Sequence, residues 1–235
     1  MRDTAIHRAG RTWLVVAAEE REFSGILGRC GPSRPLAWPE AAFAREVDWK
    51  GDRWWLVANG PGFRLVEQCL TGQAARVKRD VHSIISTGFC GALDPALRAG
   101  TIVVAGTQVR AAASYVKGDV VSSNRVAATA AEKRELYKSS GAAAVDMEYG
   151  EVKRIADEWG VPVGAVRVVS DAAGEDMPLD FNKYRGHDGR FSRGRIALAA
   201  VARPFTAIPG LLRLERNCRL AADKLGEFFA NSEFE

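Results

Sequence analysis

Val166-Arg167-Val168-Val169-Ser170-Asp171 is an apolar run that ends in Ser-Asp, and it follows Val145-Asp146-Met147-Glu148 by about twenty residues. As a buried strand, the run carries a carboxylate to its C-terminal tip. Val-Asp-Met-Glu leads into an amphipathic stretch, Glu148 to Trp159, that ends at Gly160. A second carboxylate therefore sits at the opposite end of the connecting helix. In open α/β sheets, ligands bind at the carboxyl ends of the strands. Two acids delivered there by one strand–helix–strand unit point to chemistry rather than scaffolding.

Working outward, Thr12–Ala17 (TWLVVA), Arg53–Ala58 (RWWLVA), His82–Thr87 (HSIIST), Thr101–Ala105 (TIVVA) and Pro162–Ser170 read as strands. Helical patterns cover a short turn after Glu20, then Phe63–Val77, Ala130–Ser139 before Gly141, Phe191–Val201 and Pro209–Ala230. Leu211, Leu214, Cys218, Ala221, Leu225 and Phe228 form a stripe on the last helix, read as core packing. Residues 31–40 and 172–189 read as loops, and 107–124 as strands with an excursion. Strands alternating with helices predict an α/β fold, a three-layer αβα sandwich around one mixed, largely parallel sheet. No repeat or linker interrupts it, so residues 1–235 read as a single domain.

The chain has 235 residues, 47% hydrophobic and 26% charged, enough for a large core. No apolar run reaches the roughly 18 residues needed to span a bilayer. Met1 to Gly10 lacks the apolar segment of a signal peptide, so the expected compartment is the cytoplasm. Cys30, Cys69, Cys90 and Cys218 are dispersed, with no C-x-x-C pair, and read as buried thiols. His7, His82 and His187 are equally scattered, so no metal site is predicted.

The net charge is +4, but nine Lys/Arg (Lys183, Arg185, Arg190, Arg193, Arg195, Arg203, Arg213, Arg216, Arg219) stand against three acids (Asp180, Asp188, Glu215) near the C-terminus. That stretch is either a solvated face or a contact for anionic headgroups or phosphate. No interleaving of aromatic and basic residues accompanies it, which argues against nucleic acid.

Asp171 is the first candidate acid. Behind Val166, Val168 and Val169, desolvation would favour its protonated form and suit it to general-acid work. Ser170 would orient it, or it is simply a loop cap. Glu148 either complements a helix dipole or accepts hydrogen bonds from vicinal sugar hydroxyls, with Met147 beneath the ring. Gly60-Pro61-Gly62 and Gly88-Phe89-Cys90-Gly91 read as two glycine turns on adjacent strand tips that outline a pocket floor. Glu22 would activate a water molecule, or lies in a solvated helical turn.

Ser86-Thr87-Gly88-Phe89-Cys90-Gly91-Ala92-Leu93-Asp94-Pro95 with Gly100–Val104 resembles the Gly-rich block of the nucleoside phosphorylase and nucleosidase superfamily (family 1 of the purine and uridine phosphorylases). Val145–Glu148 and Arg167–Asp171 look like its ribose- and base-binding blocks. Ala18-Glu19-Glu20-Arg21-Glu22 is similar to the N-terminal segment of the nucleosidases acting on methylthioadenosine and S-adenosylhomocysteine. The resemblance runs from about residue 13 to 175 and implies cleavage of an N-glycosidic bond. Asp171 would protonate N7 of a purine, Glu148 would hold the ribose, and Glu22 would deprotonate the attacking water. It further implies no cofactor, a small-molecule nucleoside substrate and a homo-oligomer.

Phosphorylases of this family carry Arg before, and Ser or Thr after, the turn glycine. Here Ser86 and Phe89 stand in those places, which favours hydrolysis over use of inorganic phosphate as co-substrate. Arg21 or Arg64 would have to supply a missing cation. Met177–Asn182, Arg203-Pro204-Phe205, Ile208–Leu214 and Gly118–Val126 resemble the hopanoid-associated branch, linked to removal of adenine from adenosylhopane, a lipid-linked nucleoside. A general methylthioadenosine/S-adenosylhomocysteine nucleosidase or purine nucleoside phosphorylase, a non-catalytic nucleoside-binding relative and a membrane-recruitment module are the alternatives.

Overall fold

The computed structural model describes residues 10–107, 109–111 and 113–234; His7 and most of the Met1–Gly10 segment lie outside them. Thr12–Ala17 forms β1, buried at every position. A 3-10 turn over Glu20–Phe23 leads into α1, Ser24–Leu27. Three strands follow, β2 (Ser33–Pro35), β3 (Phe43–Trp49) and β4 (Asp52–Ala58). The helix expected over Phe63–Val77 is two, α2 (Phe63–Thr71) and α3 (Ala74–Val77), because Gly72 caps the first. Next come β5 (Ser83–Ala92), β6 (Ile102–Ala105), β7 (Val109–Ala111), β8 (Val116–Lys117) and β9 (Val120–Ser122). Then come α4 (Ala130–Ser140) and the strand–helix–strand unit of β10 (Ala144–Asp146), α5 (Tyr149–Trp159) and β11 (Val163–Asp171). The chain ends in a 3-10 turn at Phe181–Tyr184, α6 (Arg193–Val201), α7 (Ala207–Ala230) and β12 (Ser232–Phe234).

The main sheet runs β2-β3-β4-β1-β5-β11-β6-β8, with β10 attached to β5 and β9. Its centre, β4-β1-β5-β11, is parallel. The flanking pairs β3–β4 and β11–β6 are antiparallel, so the sheet is mixed, as the alternation of elements predicts. Strand side chains alternate between two buried faces. Trp13, Val15, Ala17, Ile85, Val166 and Val168 pack with Leu225, Phe228 and Phe229 of α7. Leu14, Val16, Val57 and Ile84 pack with Val66 and Leu70 of α2 and Val152 and Ile155 of α5. These two interfaces are the three layers of the αβα sandwich.

Two expectations change. Gly88-Phe89-Cys90-Gly91 is no turn at the end of a strand. β5 continues through it because Gly88, Phe89 and Cys90 pair with β11, and Gly91 and Ala92 pair with β10. Nor are the two glycine segments on adjacent strands, since β1 lies between β4 and β5. Parallel alignment nonetheless brings the C-terminal ends of β1, β4, β5 and β11 to one edge, where the acids gather.

Candidate active site

The site begins with a charge inside the sheet. Arg167 of β11 is buried, and an isolated buried charge is costly unless it is paired and hydrogen-bonded. Its Nη1 donates to the Thr87 carbonyl at 2.7 Å and its Nη2 to Ser86 Oγ at 2.6 Å. Nη2 lies 2.5 Å from Asp146 Oδ2, and Nη1 lies 3.4 Å from Glu148 Oε2. Asp146 is held in turn by the Tyr149 backbone N–H at 2.9 Å.

Glu148 stands at the N-cap of α5, and its Oε1 accepts the Gly62 N–H at 2.9 Å. Burial pushes its carboxyl up to about 8; Arg167 opposes the shift, while Asp146 and Glu22 add to it. Arg167 offsets the desolvation only in part, because one guanidinium faces more than one buried acid.

Glu22 is buried, not part of a solvated turn. Its Oε2 accepts the backbone N–H groups of Ala18 and Glu19, both at 2.8 Å, and Oε1 accepts that of Phe89 at 2.7 Å. Burial pushes this carboxyl up as well, against the pull of those amides and of Arg167. Gly88 makes the contact feasible, since a Cβ there would sit 2.5 Å from Glu22 Oε1.

Asp171 ends β11 with Oδ1 accepting the Ser170 hydroxyl at 2.7 Å. The apolar wall predicted around it is incomplete. The Lys133 ammonium, brought by α4, lies 2.6 Å from Asp171 Oδ2. Its hydrogen bonds are directed at the carbonyls of Ala172 (2.8 Å) and Glu175 (2.9 Å). The contact with the carboxylate is thus charge against charge rather than an aligned hydrogen bond.

These groups open into one cavity of about 650 Å³, within the size range of small-molecule sites. Glu22, Met147, Glu148, Ser170, Asp171, Phe89, Cys90 and Gly91 line its inner end. Met177, Phe181, Phe191, Ile196, Leu211 and Leu214 line an outer, apolar end. The α7 stripe therefore divides. Ala221, Leu225 and Phe228 belong to the core, whereas Leu211, Leu214 and Cys218 face the cavity.

Of the expected floor, Gly60, Gly62 and Gly88 are absent from the cavity wall, and Pro61 is present. Gly62 acts by donating to Glu148, and a Cβ on Gly60 would meet Leu65. Arg21 lines the cavity beside the Phe89 ring, at 5.7 Å, but Arg64 turns away to the His187 carbonyl. Part of the basic stretch is structural. Arg185 donates to the carbonyls of Pro61, Asn124 and Gly189, and Arg190 to Asn59 Oδ1. All four cysteines are buried and free.

The sequence reading missed Asp146, Arg167 and Lys133. An arginine within an apolar strand was a signal for the first two, because it requires buried acids nearby. Lys133 carries no such signal in a helix that also holds Lys138 and Arg134.

A family model described as the phosphorylase superfamily matches residues 107–202, a span that holds both Val145–Glu148 and Arg167–Asp171. Solved structures share its fold over nearly the whole chain. The 5′-methylthioadenosine/S-adenosylhomocysteine nucleosidase of Helicobacter pylori is 14% identical with a TM-score of 0.66, covering 94% of this chain and 97% of that one. The futalosine hydrolase of the same organism is 14% identical with a TM-score of 0.65, covering 94% and 96%. The nucleosidase of Neisseria meningitidis is 16% identical with a TM-score of 0.65, covering 94% and 97%. At such identities the likeness is one of fold. No curated protein matches the sequence.

Proposed function

We propose that this chain is a member of the phosphorylase superfamily that cleaves the N-glycosidic bond of a purine nucleoside, with adenine as the base and a substituent at the 5′ position. The observation that carries the reading is the convergence of four buried acids, Glu22, Asp146, Glu148 and Asp171, on two buried cations, Arg167 and Lys133. Breaking the bond leaves positive charge on the sugar, and buried acids that ionise as that charge develops stabilise this state more than the ground state. In this reading Asp171, oriented by Ser170, serves N7 of the leaving base. Glu148 accepts the ribose hydroxyls over Met147. Glu22 takes a proton from the nucleophile. The chemistry is acid–base throughout and needs no cofactor.

Hydrolysis fits better than phosphorolysis. The Phe89 N–H is already spent on Glu22, and a carboxylate at that place repels phosphate. The apolar outer cavity suits a bulky 5′ group, and adenosylhopane is our candidate, which would place the enzyme in hopanoid biosynthesis. A smaller 5′-thio nucleoside is the alternative.

The surface supports contact with an anionic bilayer from the cytoplasmic side. Phe205 is 93% exposed, Leu198 72% and Val201 68%. The neighbouring guanidiniums of Arg203 and Arg216 pair with no carboxylate among the described residues. Apolar side chains flanked by unpaired cations match an interface of hydrocarbon and anionic headgroups. Among the described residues no helix is long and apolar enough to cross a membrane. We further propose that the chain works as one catalytic domain within a homo-oligomer.

The test is release of free adenine from 5′-substituted adenosines, with and without inorganic phosphate, beside Asp171→Asn. Phosphate-independent release that falls about 100-fold or more in the variant is expected. Release that requires phosphate overturns hydrolysis, and absence of release from every nucleoside overturns the reading.

A further inference from the structure

Lys133 is 1% exposed, whereas lysines ordinarily bury the stem and keep the ammonium in water. Two of its contacts, to the carbonyls of Ala172 and Glu175, clamp the segment after β11 to α4. A neutral donor would serve that purpose without the cost of burying a charge. The third contact, 2.6 Å to Asp171 Oδ2, is the one that uses the charge. The site also leaves room for it. A Cβ on Gly91 would stand 3.1 Å from Asp171 Oδ2 and 3.7 Å from Lys133 Cε. Neighbouring charges are otherwise engaged. Glu175 faces Arg213, and Asp176 caps the Ala130 N–H.

We propose that Lys133 is the proton reservoir behind Asp171, a positioning residue that acts on the leaving base through the carboxylate. The inference rests on the nucleoside-cleaving reading above. As the glycosidic bond breaks, its electron pair stays with the purine. As the base draws on Asp171, the Lys133 ammonium turns an N–H from its carbonyl partners onto the carboxylate 2.6 Å away, and one proton passes from it to Asp171 and from Asp171 to N7. Asp171 ends as it began, a carboxylate, and Lys133 is left as a neutral amine. The sugar cation is captured by water, which loses its proton to Glu22; Glu22 then releases that proton to solvent, and solvent restores the proton on Lys133. Unlike a lone carboxyl held protonated by an apolar pocket, this pair delivers a proton while remaining ion-paired before substrate binds.

The test compares two leaving groups in Lys133→Met, Lys133→Gln, Asp171→Asn and the unaltered protein. 5′-Methylthioadenosine needs a proton on its base, whereas p-nitrophenyl riboside expels a phenolate that needs none. For both Lys133 variants, kcat on the adenosine is expected to fall about 100-fold or more at little-changed KM. On the phenyl riboside it should stay within about threefold, the pattern also expected of Asp171→Asn. The Gln variant keeps a donor for the two carbonyls and so answers the question if the Met variant does not fold. Equal losses on both substrates reduce Lys133 to a structural clamp and overturn the proposal, as does full activity on both. If the unaltered protein cleaves neither substrate, the functional reading fails first and takes the proton route with it.

Discussion

Arg167, Asp146 and Glu148 form a balance of buried charges at one side of the cavity. Asp146 makes the closer contact with the guanidinium, 2.5 Å against 3.4 Å, and Glu148 is left short of positive charge. Its carboxyl is accordingly pushed up to about 8 from an ordinary 4.5 by burial. Between those values the folded protein holds a proton that the unfolded chain has released, so this group makes stability fall as pH rises toward 8. Denaturant melts at pH 5.5 and 8.5 should show that slope, and Glu148→Gln, a mimic of the protonated form, should flatten it. In the proposed function the carboxylate binds the ribose hydroxyls, so KM for a nucleoside should fall as pH rises through about 8. In Glu148→Gln it should rise about 10-fold or more and lose its pH dependence, the loss expected when hydrogen bonds to a charged group go. Asp171 and Glu148, both in the cavity wall, were legible as candidates because acids at strand and helix ends stand out against apolar runs. Lys133 was not, because only the packing of α4 against the end of β11 separates it from surface lysines.

At the scale of elements, α1 and α7 meet backbone to backbone. A Cβ on Gly226 would fall 2.1 Å from the Gly25 carbonyl, and one on Gly25 would fall 1.9 Å from the Ala222 carbonyl. Gly226→Ala should therefore cost about 1–3 kcal/mol or more in a urea melt. The loss of activity should follow, since α7 also carries Leu211 and Leu214 into the cavity. The α6–α7 hairpin belongs to a different regime, with Leu198, Val201, Phe205 and Leu212 facing outward. Co-sedimentation with vesicles rich in phosphatidylserine is expected at low salt, and weaker binding to neutral vesicles. Phe205→Asp should abolish it while base release from soluble nucleosides persists. Equal recovery with and without vesicles, together with a larger mass for the unaltered protein than for the variant, would assign this face to a second copy of the chain.

At the scale of the molecule, the alternation of strands and helices sufficed to predict the three-layer fold. The β-branched runs of β1, β5 and β11 and the glycine stops of α4 and α5 are local signals that agree with one another. β3 went unread although Phe43, Val47 and Trp49 fall on one face, because its partner β4 dominates that region. The continuation of β5 through Gly88–Gly91 depends on β10 and β11, which approach from more than fifty residues away in the chain. The sequence by itself determined the fold class, the edge of the sheet where acids collect and three of the four acids there. The tertiary structure alone decided which cation meets which acid, since each pairing joins elements distant in sequence. It also decided that half of the α7 stripe lines a cavity and that apolar residues of α6 face outward. Periodicity tells how side chains divide between the faces of a helix, and only the neighbouring elements determine what each face meets.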